Sequence, residues 1–364
     1  MAALPSRPET GGRFAALDSL RGLAALVVVV NHCLNLFPVI GGPSGAVDPV
    51  LAGLLRSPLS LLWDGRGAVA VFFVLSGFVL ALPWVRGSGP RYGAFVIRRF
   101  CRIYLPYAVA VAAAMGLATA LAPLRPVAIS LWFDTANWTE PVGLAAVADH
   151  VLMLGGHNTF DNAVWSLNHE MRLSLVFPLL LWPIRRFGWM GAALLAVGLY
   201  GAAGVITHFL GWHGVPAEVA ATVRFAACFI LGATLAGYAD RLAAVPRRGL
   251  GWLALGAGLL LLWASREPAV MAAASGLLIL SIILPGPVRA ALLRPWPLAL
   301  GRISYSLYLV HLPIILSAVH LLHAALPLPV IALGSGLLSL AVAFAFHRWV
   351  EAPANRLGRR LAAA

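Results

Sequence analysis

The chain contains no lysine, so all 26 of its basic residues are arginines. They do not gather in one patch but recur at the ends of apolar runs. This argues for topology signals and against a nucleic-acid surface, despite a formal net charge of +13. Charge of either sign is scarce: 11% of residues are charged, against about 25% in a soluble domain. Cysteine is scarcer still. Cys33, Cys101 and Cys228 lie in or beside different apolar segments, so no disulfide framework is supported and free structural thiols are expected. The period-2 alternation of an outer-membrane barrel is missing. No repeat marks the inverted halves of a transporter.

What the chain has is apolar length. Hydrophobic residues make up 61% of it, and its mean hydropathy is +0.88. Runs of about 18 to 24 apolar residues match the helical crossing of a bilayer. The expected fold is therefore all-α: a polytopic membrane protein of about ten transmembrane helices, at 17–38, 67–85, 100–121, 169–185, 189–209, 220–239, 249–264, 268–285, 300–322 and 327–349. The first run is long and lacks a small-residue cleavage site, so it reads as a retained helix rather than a signal peptide. Segments assigned to the inside, with Arg7, Arg247 and Arg248 among them, carry 20 arginines. The outside segments carry five: Arg56, Arg66, Arg125, Arg224 and Arg266. This bias places both termini in the cytoplasm. The chain divides into an N-terminal tail at 1–16, an integral-membrane domain at 17–350 and a C-terminal tail at 351–364. One outer segment, about 122–165, is long and acidic, with a short interfacial helix expected at Leu144 to Leu154.

Four stretches place polar side chains where they are expensive. In LDSLRGLAALVVVVNHC, Asp18 and Arg21 open an apolar helix that carries His32 deep in its far half. Arg21 and His32 are eleven residues apart, roughly 16 Å and about 20° past three full turns, so they share a face. In RRFCRIYLP, Arg99 and Arg102 are spaced to share a face and to grip a phosphate, though an ordinary positive-inside anchor reads equally well. In WSLNHEMRLS, Trp165 suits an interfacial belt, Ser166 a helix cap, and Glu170 a depth comparable to that of His32, where a carboxylate can orient an imidazole. Glu170 and Arg172 read alternatively as plain markers of the membrane edge. In GRISYSLYLVH, Ser304, Tyr308 and His311 form a polar stripe, with Tyr305 beside it, which either binds substrate or locks helices together. His150, His157 and His169 lack metal-ligand spacing, and no metal is expected.

These stretches, together with FFVLSGF at 72–78 and the final Glu351-Ala-Pro353, closely resemble the membrane-bound acyltransferase family 3 over about residues 14–355. The resemblance implies transfer of an acyl group, usually acetyl, from acyl-coenzyme A to a hydroxyl of a carbohydrate or related acceptor, in a bacterial inner membrane. It implies His32 as catalytic residue, with Arg21, Arg99 and Arg102 as donor-binding positions and Glu170 as the recurring acidic position. Expected partners are membrane lipids, acetyl-CoA or another acyl-CoA, and a carbohydrate or polysaccharide acceptor. The run Met171-Arg172-Leu173-Ser174 departs from the family's commoner Glu-Gln-Phe-Tyr type pattern. Without the resemblance, a transporter or flippase of a small metabolite or glycolipid also accounts for the deep polar residues.

Overall fold

The structure, a computed structural model, describes residues 9–41, 49–126, 128–156, 159–211, 214–245 and 249–363. Arg7, His157, Arg247 and Arg248 lie outside the described residues. Among the described residues the regular structure is helical throughout. Lipid offers no hydrogen bonds, so a spanning segment must satisfy its own backbone. The principal helices are α1 (Glu9–Leu34), α2 (Gly65–Val85), α3 (Leu105–Leu121), α4 (Trp165–Leu210), α5 (Gly214–Ala243), α6 (Leu250–Ala264), α7 (Pro268–Ile283), α8 (Pro295–Leu322), α9 (Leu328–Phe346) and α10 (Ala352–Leu361). Proline opens or nearly opens α3, α7, α8, α9 and α10, where its missing N–H costs nothing. Asp64 caps α2 by accepting from the Gly67 N–H at 3.2 Å.

Among the described residues, seven helical stretches are long and apolar enough to cross a membrane, and α6 and α7 are shorter apolar helices. At 46 residues, α4 would be about 69 Å long if straight, more than twice a bilayer core. It breaks at Gly188, where φ is 62° and ψ −143°, a conformation open to glycine and strained for other residues. The two arms of α4 match the runs expected at 169–185 and 189–209, and each of the ten apolar runs falls wholly or mainly on helix.

Two cores divide the molecule. One surrounds α1, α3, α8 and the loop segment that carries Phe133, Trp138 and Phe160. The other gathers α2, α4, α5 and α7 around Phe73, Phe78, Phe177 and Phe229. Between lipid-facing helices the driving force is close packing, and close approach needs small residues. At the crossing of α1 and α8, a Cβ on Gly22 would lie 2.5 Å from the backbone nitrogen of Gly301, and one on Gly301 would lie 2.5 Å from the Asp18 carbonyl oxygen. The helices run in parallel from this contact. Ten residues further along each stand His32 and His311.

The described part of 1–16, from Glu9, already belongs to α1. Glu351 closes a π-turn at His347–Glu351, and α10 packs onto the short helix Tyr92–Arg99 and the turn that follows it, with Gly358 against Cys101.

Candidate active site

His32 sits in the last turn of α1, held from two sides. Its Nδ1 lies 2.8 Å from Nε2 of His311, and the two ring planes are within 4° of parallel. Trp132 stacks on the His32 ring with centroids 5.3 Å apart. It is carried by the short helix Leu131–Ala136, whose cap Ser130 accepts from the Phe133 N–H and donates to the Asn35 carbonyl at 2.8 Å. The loop that presents Trp132 is thus fastened to the end of the helix that presents His32.

The hydrogen bonds determine where the protons sit. Nδ1 of His311 is 3.0 Å from the Leu307 carbonyl oxygen, which can only accept, so this nitrogen carries the hydrogen. In neutral His311 the lone pair is then on Nε2. His32 must donate to it from Nδ1, and its own lone pair is left on Nε2. His32 lines a cavity of about 1300 Å³, shared with Asn31, Asn35, Trp63 and Trp132. Asn31 donates to the Trp63 carbonyl at 2.9 Å, which fixes the amide beside the histidine.

Arg21, Arg99 and Arg102 come together in a second pocket of about 60 Å³, with Ser76, Glu170 and Tyr305. The local cause is a π-turn at Phe100–Tyr104, just ahead of Pro106. A proline in that position has no N–H for the regular ladder and crowds the preceding turn, so the helix widens there. The hydroxyl of Tyr305 donates to the Ile103 carbonyl at 2.7 Å. Arg21 is held by Asp18 at 2.9 Å. Arg99 is buried and lies 3.7 Å from Glu170, which also accepts from Ser76 at 3.0 Å.

Tyr308 lines both spaces. Its hydroxyl donates to the Ala163 carbonyl at 2.8 Å and meets the Ser166 hydroxyl at 2.7 Å, while Phe72 packs edge-on against its ring. It is the common wall between the arginine pocket and the histidine cavity.

Several expectations change. Glu170 is not the partner of His32: its position on α4 turns it toward Arg99 and Ser76, and His311 holds the imidazole instead. Ser166 lies inside α4 and bonds Tyr308, while the preceding 3-10 turn is capped by Asp161. Ser304 donates to Gly301 within its own helix and also lines the arginine pocket. Arg172 is not a bare edge marker. It donates to the Met153 and Leu154 carbonyls at 2.9 and 2.6 Å and pairs with Glu218, tying the segment at Met153–Leu154 to α4 and α5. The buried His150 and His169 are bonded to Ala146 and Thr222. Trp132 sits in no motif or periodic run that marks it as part of the site; the one signal in the sequence is that the 122–165 segment holds several tryptophans.

The fold and site define a multi-pass helical membrane protein with a hydrogen-bonded histidine pair at the wall of a large cavity. Residues 14–348 match the family model described as an acyltransferase domain. The chain belongs to that family, acyltransferase 3. It is 27% identical over 212 residues to Nodulation protein 10 of Rhizobium leguminosarum bv. viciae, covering 56% of this chain and 54% of that one. It is 30% identical over 191 residues to Acyltransferase MdmB of Streptomyces mycarofaciens, covering 50% and 44%. It is 27% identical over 212 residues to O-acetyltransferase PaAT-1 of Phomopsis amygdali, covering 47% and 40%. The chain thus spans about half or less of the length of these curated relatives. No solved structure matches it.

Proposed function

We propose that this acyltransferase moves an acyl group, most simply acetyl, from acyl-coenzyme A to a hydroxyl of a carbohydrate or glycan-type acceptor within a bacterial inner membrane. The arginine bias supports a cytoplasmic approach for the donor and an outward-facing acceptor cavity. Arg21, Arg99 and Arg102 meet the coenzyme's phosphates, Arg99 being held in place by Glu170. Nε2 of His32 takes the proton from the acceptor hydroxyl as its oxygen attacks the thioester carbon. The tetrahedral intermediate collapses, the carbon–sulfur bond breaks, and the imidazolium returns the proton to the leaving thiolate. His311 keeps the His32 Nδ1–H oriented throughout, and Trp132 holds the ring plane.

The observation that carries this reading is the shared wall. The arginines and the histidine line separate spaces that meet at Tyr308. The arginine pocket now has room for a few waters only. Donor entry therefore requires the contacts of Tyr308 with Phe72 and Ser166 to open.

The test uses the purified full chain with radiolabelled acetyl-CoA. Calorimetric binding of acetyl-CoA that is weakened in Arg102→Ala, together with labelled ester formed by the native chain and lost in His32→Ala, supports the reading. Full activity in a well-folded His32→Ala variant would sink the base assignment. No measurable binding of acetyl-CoA would favour a transporter.

A further inference from the structure

The last helix, α10, sorts its side chains into three sectors. Ala354 and Gly358 share the face that packs on the protein, and both are buried. Arg356, Arg359 and Arg360 are exposed and together span about 100° on the opposite side. Leu357 and Leu361 lie between those two faces and are also exposed, at 44% and 50%. A positive-inside signal asks only for arginine near the end of a span. It asks neither for sorting by face nor for an apolar flank beside the charge. That combination suits a helix lying in a membrane interface, with leucine toward the acyl chains and arginine toward the headgroups.

The surroundings agree. α10 follows α9 after a single π-turn, His347–Glu351, so it starts where a membrane crossing ends. Trp349 of that turn is 72% exposed, as suits an interfacial aromatic, and Arg348 beside it is exposed too. On the far side of α10 the helix Tyr92–Arg99 adds the exposed Arg98. The segments packed most closely on α10 offer these arginines no free counter-charge. Residues 92–104 contain no acidic side chain. Glu351 is buried and engaged, accepting from Ser306 at 2.6 Å, with Nδ1 of His347 3.0 Å away.

We infer that α10, with Arg98, Arg348 and Trp349, docks on anionic phospholipid headgroups of the cytoplasmic leaflet, and that the bound lipid steadies the turn carrying Arg99 and Arg102. The link to that turn is direct. A Cβ on Gly358 would lie 2.8 Å from the Cβ of Cys101 and 3.5 Å from the Cα of Arg98, so α10 rests on the backbone between the two pocket arginines. The lipid contact stands apart from the acyl-transfer reading, and only the use of the steadied arginines for a donor rests on it.

The test uses the full chain in nanodiscs of phosphatidylcholine, with or without phosphatidylglycerol, and with no donor present. Amide hydrogen exchange is followed over residues 92–104 and 352–361. Phosphatidylglycerol should slow exchange in both segments by about fivefold, the worth of roughly one arginine at an anionic surface. Added salt should erode the difference. The combined variant Arg356→Gln, Arg359→Gln, Arg360→Gln should exchange at the phosphatidylcholine rate in both lipids. Arg356→Gln alone, which should lose part of the effect, decides the matter if the combined variant is unstable. Equal exchange of the native chain in the two lipids overturns the proposal, as does slowing that survives in the variants. Slowing confined to 352–361 overturns it too, because the turn would then be independent of the lipid. Glycerol 1-phosphate added to phosphatidylcholine discs should change nothing; slowing like that of phosphatidylglycerol would assign a free phosphate and defeat the lipid surface. Failure of acetyl-CoA to bind would sink the acyl-transfer reading and leave these exchange rates untouched.

Discussion

His32 donates from Nδ1 to Nε2 of His311 across 2.8 Å, and the Leu307 carbonyl behind His311 fixes the direction of that bond. The pair is therefore asymmetric: His32 keeps a free lone pair on Nε2, and in the proposed reaction His311 would position it. His32→Ala should lower acyl transfer by about 10²- to 10⁴-fold, the range of a lost general base. His311→Ala should cost about a hundredfold through misplacement of the ring. In both, kcat should fall while KM for acetyl-CoA holds steady. His311→Gln offers an amide oxygen where Nε2 stood, so it should recover part of the rate. Equal activity in the Gln and Ala variants would remove the orienting role.

The same pair depends on a contact far from it. Gly22 and Gly301 let α1 and α8 touch backbone to backbone, ten residues before each histidine. A methyl at Gly22 would meet Gly301 backbone atoms at 2.5 to 2.9 Å, and backbone cannot swing aside. Gly22→Ala should cost about 1–3 kcal/mol by overpacking and lower kcat by shifting the two rings apart. Gly116→Ala in α3, where nothing lies within 4 Å of the added carbon, is the control and should be neutral or slightly stabilising. Similar losses in both variants would show that the crossing does not set the site.

The helices were legible because lipid makes apolar length and backbone satisfaction almost the same signal. Arg21, Arg99 and Arg102 were legible as a group through their spacing and sign, and they do share a pocket. Glu170 misled, because depth along an axis says nothing of the direction in which a side chain points. His311 was read as either ligand or lock. Which of these held depended on the Gly22–Gly301 register, a long-range contact with no local signature. Trp132 lies in a loop without periodicity, and its stacking on His32 follows from the Ser130–Asn35 tie. The arginines of α10 were counted for topology, and that count hid their sorting to one face.

Arg99 and Glu170 permit a separable prediction. The two lie 3.7 Å apart with Ser76 as a third member, so their substitutions should not be additive. Arg99→Ala should raise KM for acetyl-CoA and leave the half-buried carboxylate of Glu170 without its cation, with a loss of thermal stability. Adding Glu170→Gln should restore much of that stability without restoring donor affinity. Additive effects on stability in the double variant would argue that the two groups act independently. An unchanged KM in Arg99→Ala would remove it from donor binding.

Asp161 ties the stability of the site to pH. It lies just ahead of α4, fully buried, with one carboxylate oxygen accepting from the Ala163 N–H and the other without a partner among the described residues. Burial pushes its carboxyl from the ordinary 3.8 up to about 8, against a smaller opposing pull from the Ala163 hydrogen bond. Between those values the folded protein keeps a proton that the unfolded chain has released. Unfolding then frees a proton, so rising pH favours unfolding. The contribution of Asp161 is greatest below about pH 4, declines as pH climbs toward 8, and levels off above that. Thermal midpoints of the full chain in detergent should therefore fall between pH 5 and about pH 8. Asp161→Asn keeps the acceptor for Ala163 and carries no charge, so it should flatten that decline. Because Ala163 also anchors the Tyr308 hydroxyl, the native chain should lose transfer activity alongside stability on the alkaline side, and the Asn variant should resist that loss. An unchanged pH slope in Asp161→Asn would assign the dependence to another group.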